Sequence, residues 1–260
     1  MSALPISVCI ISGAEAARIG RALESVAGWT NEINVVLNEE VSDGTQEIAV
    51  KHGAKVFREP WKGYPAQKNS VAQKASQDWI LSLDADEVVS PELRGEIERV
   101  FADTRHLEGL SAFSFPRLTN YCGRWIRHGD WYPDRSTRLW RRGSAEWGGG
   151  DVHERLNVRG AVRKLKGDLL HYHGAGIDDQ LAKIAIYSEI FARDRPRAAS
   201  RATWWNLAFR PWWRLLRAYF FRLGFLDGWQ GYYIAWATAF YTVTRYAKLR
   251  TAKPASEDAA

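Results

Sequence analysis

The chain has 260 residues, of which 46% are hydrophobic and 25% charged, a globular balance that excludes a disordered chain and fits one large domain or one domain with an appendage. Its formal charge of +6 leaves nucleic acid, anionic lipid and phosphorylated substrates open as partners. The two cysteines, Cys9 and Cys122, have no metal-ligand spacing, and the N-terminus does not resemble a signal peptide, so we expect a reduced cytosolic protein.

Residues 1–84 alternate apolar, β-branched runs with helical patterns. The runs ISVCII and WILSLD are typical of strands that are buried on both faces of a parallel sheet. Strands that alternate with helices of this length indicate βαβ units, so an α/β fold with a parallel sheet is expected. The predicted strands are 6–11, 33–38, 55–57 and 79–84, and the predicted helices are 14–28, 42–54 with Ser42 as N-cap, and 65–76.

The middle of the chain begins with a helix that is predicted over 90–103. Ser90 stands at its N-cap and Pro91 at its first position, where a missing N–H costs nothing. Shorter strands and loops are expected over 110–170. A further helix is predicted over 178–193, because apolar residues recur there at helical spacing.

The stretch LDADE follows directly on the strand 79–84. Asp84, Asp86 and Glu87 repel one another, so a positive charge is expected beside them, with a divalent cation as the first candidate. Oxygen ligands favour Mg²⁺ or Mn²⁺. Ligands of an open parallel sheet bind outside the carboxyl ends of its strands, which is where this cluster falls. A solvated loop with capping carboxylates is the alternative.

Three other stretches carry candidate chemistry. WKGYPAQKN (61–69) places Lys68 near a helix start, which favours an anion such as a pyrophosphate, although a plain surface lysine has the same pattern. GGGDVHERL (148–156) is a glycine loop followed by carboxylates, which suit a general base or an exposed turn. HYH (171–173) closes an apolar run, and a histidine there is either a core residue or a third metal ligand.

The order of these motifs is similar to that in family 2 glycosyltransferases, which have the GT-A fold. Along the chain come SVCIIS with EAARIGRALESV, SDGT, GYPAQKN, LDADE, VHERL, and HYH ahead of a helix with KIAIYS. The chain most resembles the bacterial enzymes that add glucose or a related sugar to the heptose region of the lipopolysaccharide core. The resemblance covers about residues 5–195 and implies a Rossmann-like, mixed, mainly parallel sheet flanked by helices.

The resemblance also implies an inverting, metal-dependent enzyme and a nucleotide-sugar donor, with a UDP-sugar as the usual one. Glu154 matches the catalytic base, while Asp151, His153 and His173 are possible acceptor or loop contacts. The implied ligands of Mn²⁺ or Mg²⁺ are Asp84, Asp86 and His171, with His173 as a rival. The implied donor contacts are Ser12, Glu15, Asn38, Gln67, Lys68, Asn69, Asp84 and Ala85.

Two positions depart from the family pattern. Ser12-Gly13-Ala14-Glu15 stands where the family has Thr-x-Asn-Glu, and Asn38 stands where it has an aspartate that contacts the nucleobase. An amide offers a base edge donors as well as acceptors, unlike a carboxylate.

The C-terminal part mixes arginine with large aromatic residues. Six of the thirteen tryptophans fall between Trp204 and Trp236, and Arg210, Arg214 and Arg217 follow one another at helical spacing. A basic amphipathic segment that is rich in tryptophan favours a membrane interface. A helical hairpin packed on the catalytic core and an oligomer surface are the alternatives.

These observations predict three parts: a catalytic domain over 1–198, membrane-associating amphipathic helices over 199–250, and a flexible tail over 251–260. The expected acceptor is a lipid-linked glycan at the cytoplasmic side of the bacterial inner membrane, with the protein peripheral or monotopic there. A polyprenyl-phosphate acceptor and a non-catalytic nucleotide-sugar-binding protein are the alternatives. Nucleic acid is not expected as a partner, because carboxylates rather than a basic stripe occupy the predicted strand ends.

Overall fold

A computed structural model describes residues 3–150, 154–172, 176–193 and 203–251. The chain forms two compact units, of which the first combines Met1–Leu118 with Asp134–Tyr172 and the second combines Thr119–Pro133 with His173–Ala260. Each unit therefore combines two separate segments of the chain. The predicted functional boundary at residue 198 stays a prediction.

A mixed sheet forms the centre of the first unit. Its strands follow the order β3-β2-β1-β4-β8-β6-β12-β5, and the first four of these are parallel. β8 runs antiparallel to both β4 and β6. The strands are β1 (Leu4–Ser12), β2 (Thr30–Asn38), β3 (Lys55–Glu59), β4 (Trp79–Asp84), β5 (Glu87–Val89), β6 (Leu110–Tyr121), β7 (Arg124–Trp125), β8 (Asp134–Arg141), β9 (Ala145–Gly148), β10 (Arg155–Val158), β11 (Ala161–Lys164) and β12 (Leu169–Tyr172).

Both faces of this sheet are buried, as the continuous apolar runs predict. In β1, Ile6, Val8 and Ile10 belong to the core on one face, whereas Cys9 and Ile11 belong to the core on the other. This alternation follows from the two-residue period of a strand. Full burial of an Ile or Val side chain contributes about 1.5–3 kcal/mol, so the central strands hold the unit together.

Helices cover the sheet, and two of them begin later than their sequence pattern predicts. The helices of the first unit are α1 (Ile19–Val26), α2 (Thr45–Lys51), α3 (Tyr64–Gln73) and α4 (Pro91–Ala102). The helix predicted over 14–28 starts only at Ile19, because the amides of Glu15 and Ala16 donate to the side chains of Thr45 and Asp43 and form a turn.

The predicted N-cap of α2 was wrong. Gly44, with φ 94°, precedes the helix, and the Thr45 amide donates to Asp43 Oδ1 at 3.0 Å, while Ser42 is exposed. The prediction for α4 is confirmed, because the Leu93 amide donates to Ser90 Oγ at 3.1 Å and Pro91 occupies the first turn.

The second unit is built around three helices. It contains β7, α5 (Ile177–Arg193), α6 (Trp204–Leu216) and α7 (Gly228–Thr251), and α7 packs against both α5 and α6. A π-helical turn, Arg217–Phe221, continues α6, and a 3₁₀ turn, Gly224–Asp227, leads into α7. The buried Asp227 carboxylate accepts a hydrogen bond from the amide of His128 at 2.7 Å and thereby ties the 119–133 segment to the turn before α7.

None of the helices in the described ranges combines the length and the apolar character that crossing a bilayer requires.

Candidate active site

A cleft of about 500 Å³ opens at the carboxyl ends of β1, β2 and β4. Ser12, Asn38 and Asp84 are the last residues of these three strands, so the parallel arrangement brings them to one edge of the sheet. The lining residues are Ile11, Ser12, Gly13, Glu15, Asn38, Trp61, Tyr64, Asp84, Ala85, Asp86 and His171. The cleft therefore unites seven of the residues that the sequence analysis assigned to the donor or the metal.

Asp84 binds two cationic side chains of the chain itself. Its Oδ1 lies 2.9 Å from Lys68 Nζ, and its Oδ2 lies 2.8 Å from Arg138 Nη2. Burial alone would raise the pKa of Asp84, but the charges of Arg138 and Lys68 outweigh it and hold the pKa well below its ordinary range. Asp84 is therefore an ionised carboxylate whose two oxygens are both already paired.

Glu87 and Arg138 form the buried base of this network. Arg138 Nη2 donates to Glu87 Oε1 at 3.0 Å, and the Asp84 amide donates to Glu87 Oε2 at 3.0 Å. Burial, followed by repulsion from Asp84, raises the pKa of Glu87. Burial alone would lower the pKa of Arg138, but Asp84 and Glu87 raise it above its ordinary value. The positive charge that LDADE requires thus comes in part from Arg138, a residue that the sequence analysis did not select.

Asp86 faces His171 on one wall of the cleft. Asp86 Oδ2 lies 3.4 Å from His171 Nε2. Burial alone would raise the pKa of Asp86, but its hydrogen bond with His171 holds the pKa below its ordinary value. In the described part of the chain, no three His, Cys, Asp or Glu side chains form a complete cation site. The chemistry of a carboxylate and an imidazole nevertheless fits a Mn²⁺-type cation, which these two residues would hold in part.

Lys68 connects the cleft to Glu154. The lysine is 2% exposed, and its Nζ lies 2.6 Å from Glu154 Oε1 and 4.7 Å from the centre of the Trp147 ring. Lys68 is thus enclosed by carboxylates and an indole, and its contact with a pyrophosphate stays a prediction. Glu154 Oε2 is buried and has no hydrogen-bond partner among the described residues.

The neighbours of Lys68 on α3 point to different roles. The two polar atoms of the Asn69 side chain bond to the backbone of Trp147 at 2.8 and 2.9 Å, so this side chain fastens α3 to β9. Gln67 is 1% exposed, and its side-chain nitrogen and oxygen make no hydrogen bond within the described ranges. Asp151, His153 and His173 lie outside the described residues.

Comparison with known proteins identifies the family. Residues 7–165 match glycosyl transferase family 2. An uncharacterized glycosyltransferase of Rickettsia prowazekii is 33% identical to this chain in an alignment that covers 94% of this chain and 86% of that relative. The chain belongs to glycosyl transferase family 2.

This glycosyltransferase has a relative in lipopolysaccharide synthesis. The lipopolysaccharide core biosynthesis glycosyltransferase LpsC of Rhizobium meliloti is 29% identical, over 98% of this chain and 97% of that relative. The crystal structure of S. aureus TarS 1–349 in complex with UDP-GlcNAc matches with a TM-score of 0.50 and 14% identity, over 95% of this chain and 91% of that TarS chain. The likeness at this identity concerns the fold, and the predicted GT-A fold is confirmed.

The glycosyltransferase cleft contains two residues whose significance the sequence analysis missed. Trp61 and Tyr64 are each 47% exposed, line the cleft, and meet edge to face with ring centres 4.9 Å apart. They belong to the WKGYPAQKN stretch, where two aromatic residues flanking a glycine were the available signal. For Arg138, the signal was a charged residue directly before the apolar pair Leu139 and Trp140 in the run STRLWRR.

Proposed function

We propose that this glycosyltransferase transfers a sugar from a UDP-sugar to a hydroxyl group of a lipid-linked glycan, with inversion at the anomeric carbon. The biological context that we infer is synthesis of the lipopolysaccharide core or of another cell-envelope glycan. The observation that carries the proposal is the cleft in which Asp84, Asp86 and His171 meet at the carboxyl ends of parallel strands. The named relative LpsC and the UDP-GlcNAc bound to TarS support the acceptor and donor classes.

The donor occupies the cleft in this proposal. Asn38 contacts the nucleobase from the end of β2, and Ser12 and Glu15 line the same wall. Asp86 and His171 would hold a Mn²⁺ or Mg²⁺ ion, which would supply positive charge to neutralise the leaving nucleoside diphosphate. Asp84, which Lys68 and Arg138 orient, lies beside that pair and keeps the cleft wall polar and ordered.

Glu154 serves as the general base. Its Oε1 is held by Lys68, and its buried Oε2 has no hydrogen-bond partner among the described residues, which supports this carboxylate as the group that takes the proton of an acceptor hydroxyl. The acceptor oxygen then forms a bond to the anomeric carbon as the bond from that carbon to the phosphate oxygen breaks. The electron pair of the broken bond leaves with the nucleoside diphosphate, and a single displacement inverts the configuration.

The C-terminal helices bring the enzyme to its acceptor in this proposal. A lipid-linked glycan diffuses only in the plane of the membrane, so an enzyme that binds the cytoplasmic surface of the inner membrane meets it more often. The exposed tryptophans of α6 support this part of the proposal, since Trp204, Trp205, Trp212 and Trp213 are between 56% and 75% exposed.

Incubation of the purified full chain with a panel of nucleotide sugars, with and without Mn²⁺, tests the proposal. We expect release of UDP from one UDP-sugar, stimulated by Mn²⁺, and formation of a product with a heptose-containing lipid acceptor. Asp86→Ala should abolish Mn²⁺-dependent UDP binding in calorimetry while circular dichroism stays unchanged. Unaltered Mn²⁺-dependent UDP binding by this variant would refute the assignment of the cation to Asp86 and His171.

A further inference from the structure

The second unit contains a cluster of three arginines around one aspartate, which we call the Arg214 cluster. Asp130 Oδ1 pairs with Arg217 Nη1 and lies 3.3 Å from Arg222 Nη1, and Asp130 Oδ2 lies 3.4 Å from Arg214 Nη1. Three guanidinium groups and one carboxylate leave a net charge of +2. Holding three guanidinium groups close together costs electrostatic free energy, which an anionic partner would offset.

The carboxylate does not saturate these arginines. A guanidinium has five N–H donors, while one carboxylate offers about four acceptor sites, so most of the donors of the cluster are left for another acceptor. Arg214 Nε is buried and makes no hydrogen bond in the described part of the chain. The arginine side chains are 35–39% exposed, whereas that of Asp130 is 10% exposed. The cluster therefore presents donors outward and its own anion inward.

The backbone is shaped to form this cluster. The turn Arg217–Phe221 is π-helical, and the Arg222 amide donates to the carbonyl of Arg217 at 2.8 Å across five residues. A regular α-helix would close that turn one residue earlier, so the π turn changes which side chains share a face with Arg217. Single π turns occur preferentially at functional sites.

Large apolar side chains lie next to the cluster along the chain. Trp213 and Phe221, the neighbours of Arg214 and Arg222, contact each other with ring centres 5.7 Å apart and are 56% and 71% exposed. The exposed apolar residues that follow are Leu223, Phe225, Leu226 and Trp229. This concentration of exposed large apolar side chains in one short segment favours an interaction site over ordinary protein exterior.

We propose that the Arg214 cluster is a binding site for the phosphate groups of anionic lipids, and that Trp213 and Phe221 enter the bilayer interface beside it. The inference rests on the membrane association in the proposed function and adds the residues that select the lipid. Guanidinium groups bind phosphate oxygens in pairs, and aromatic rings favour the headgroup level, so the two features together fit a lipid headgroup better than a soluble phosphate or an apolar protein surface.

The test compares two full-length variants of equal net charge. Arg214→Gln/Arg222→Gln removes two arginines of the cluster and keeps Arg217 as the partner of Asp130. Arg105→Gln/Arg163→Gln removes two exposed arginines of the first unit. Binding to phosphatidylcholine vesicles, with and without phosphatidylglycerol, is measured by flotation. We expect the cluster variant to bind phosphatidylglycerol vesicles about thirtyfold more weakly, which corresponds to about 1 kcal/mol for each arginine, and the control to stay within about twofold.

A second measurement needs no variant and covers the case in which the cluster variant does not fold. The unmodified chain is treated with phenylglyoxal, and modified arginines are identified by peptide mass spectrometry. Phosphatidylglycerol vesicles should protect Arg214, Arg217 and Arg222 but leave Arg105 reactive. Inorganic phosphate at the same phosphate concentration should not protect them, because the aromatic contribution is missing.

The outcomes separate this inference from the proposed function. Equal losses in both variants, or absence of protection, would overturn the phosphate site while membrane binding by the unmodified chain stands. Protection by inorganic phosphate alone would assign the cluster to a soluble anion. A dimer in light scattering that does not bind vesicles would assign the aromatic surface to a second copy. UDP release from a nucleotide sugar without lipid tests the glycosyltransferase proposal independently of all these results.

Discussion

Lys68 shows how one side chain can organise a whole site. Its ammonium lies between Asp84 and Glu154, which belong to segments far apart in the sequence, and it is almost completely buried. A buried lysine is costly unless it is paired, so its two carboxylates stabilise it as much as it orients them. The lysine consequently fixes the distance between the cleft and the proposed base.

Glu154→Gln removes the proposed base but keeps a side-chain oxygen that can accept the hydrogen bond from Lys68. We expect transfer to fall by about a hundredfold or more, because a glutamine cannot take up a proton, while UDP binding is retained. Glu146→Gln is the matched control, since Glu146 is an exposed residue of β9. Steady-state rates and calorimetry with UDP check both variants. A rate for Glu154→Gln close to that of the unmodified enzyme would move the role of base to another carboxylate.

Glu32 makes the free energy of unfolding depend on pH in the acidic range. Burial alone would raise its pKa, but hydrogen bonds from Ser7, Ser76 and Lys55 lower the pKa from 4.5 to about 2. The stabilisation is fully present above pH 4.5 and is lost as the pH falls toward 2.

The variant Glu32→Gln should therefore lower the free energy of unfolding by about 2 kcal/mol at neutral pH, the scale of hydrogen bonds to a charged group. Its difference from the unmodified chain should shrink as the pH falls below 4.5. Urea unfolding at a series of pH values measures this, with Glu146→Gln as the exposed control. A difference that is constant with pH would show that ionisation of Glu32 contributes nothing.

At the scale of elements, side-chain acceptors hold the chain at or just before the starts of α1, α2 and α4. Ser90 supplies an oxygen to the first turn of α4, and Asp43 does so for the chain entering α2. The same Asp43, with Thr45, takes up two amides of the segment before α1 and delays the start of that helix. An acceptor that serves a different segment is not visible as a local pattern, so the starts of α1 and α2 were mispredicted, whereas α3, α4 and α5 begin within one residue of their predicted starts.

Ser90→Ala should lower the free energy of unfolding by about 1 kcal/mol, because the amide of Leu93 loses its acceptor in a buried setting. Ser42→Ala is the matched control, since Ser42 is exposed and caps no helix, and it should change stability by less than about 0.5 kcal/mol. Denaturant unfolding of both variants gives the comparison. Equal effects would contradict the cap assignment.

At the scale of the whole molecule, the two units differ in how far their large hydrophobic residues are buried. In the first unit the large apolar residues are mostly in the sheet cores, whereas many of those in α6 and α7 are exposed. Since α5 packs on α7 within the second unit, a truncation at residue 198 would remove the packing partner of α5. Substitutions in the full chain are therefore the better test of membrane association.

Trp204→Ser/Trp205→Ser should weaken binding to anionic vesicles, because both indoles are exposed and available to the headgroup region. Binding of the unmodified chain should also weaken in high salt, where screening reduces the contribution of the arginines. UDP binding should be unaffected, since the cleft is formed by the first unit. Vesicle flotation measures membrane binding, and calorimetry measures UDP binding. Flotation that changes neither with salt nor with the two substitutions would contradict binding at the membrane interface.

The sequence by itself determined the parallel strands and the position of the carboxylate cluster, because strand periodicity and strand ends are local properties, and its resemblance to family 2 glycosyltransferases predicted the GT-A fold. It did not reveal which positive groups face that cluster. β8 pairs antiparallel with β4 and carries Arg138 to Asp84 across 54 residues, and α3 brings Lys68 to the same carboxylate. A buried charge must find its partner in three dimensions, and that partner is set by strand pairing and helix packing rather than by neighbours in the chain. The tertiary structure alone therefore decided that Asp84 is paired within the protein, while Asp86 and His171 face each other in the cleft.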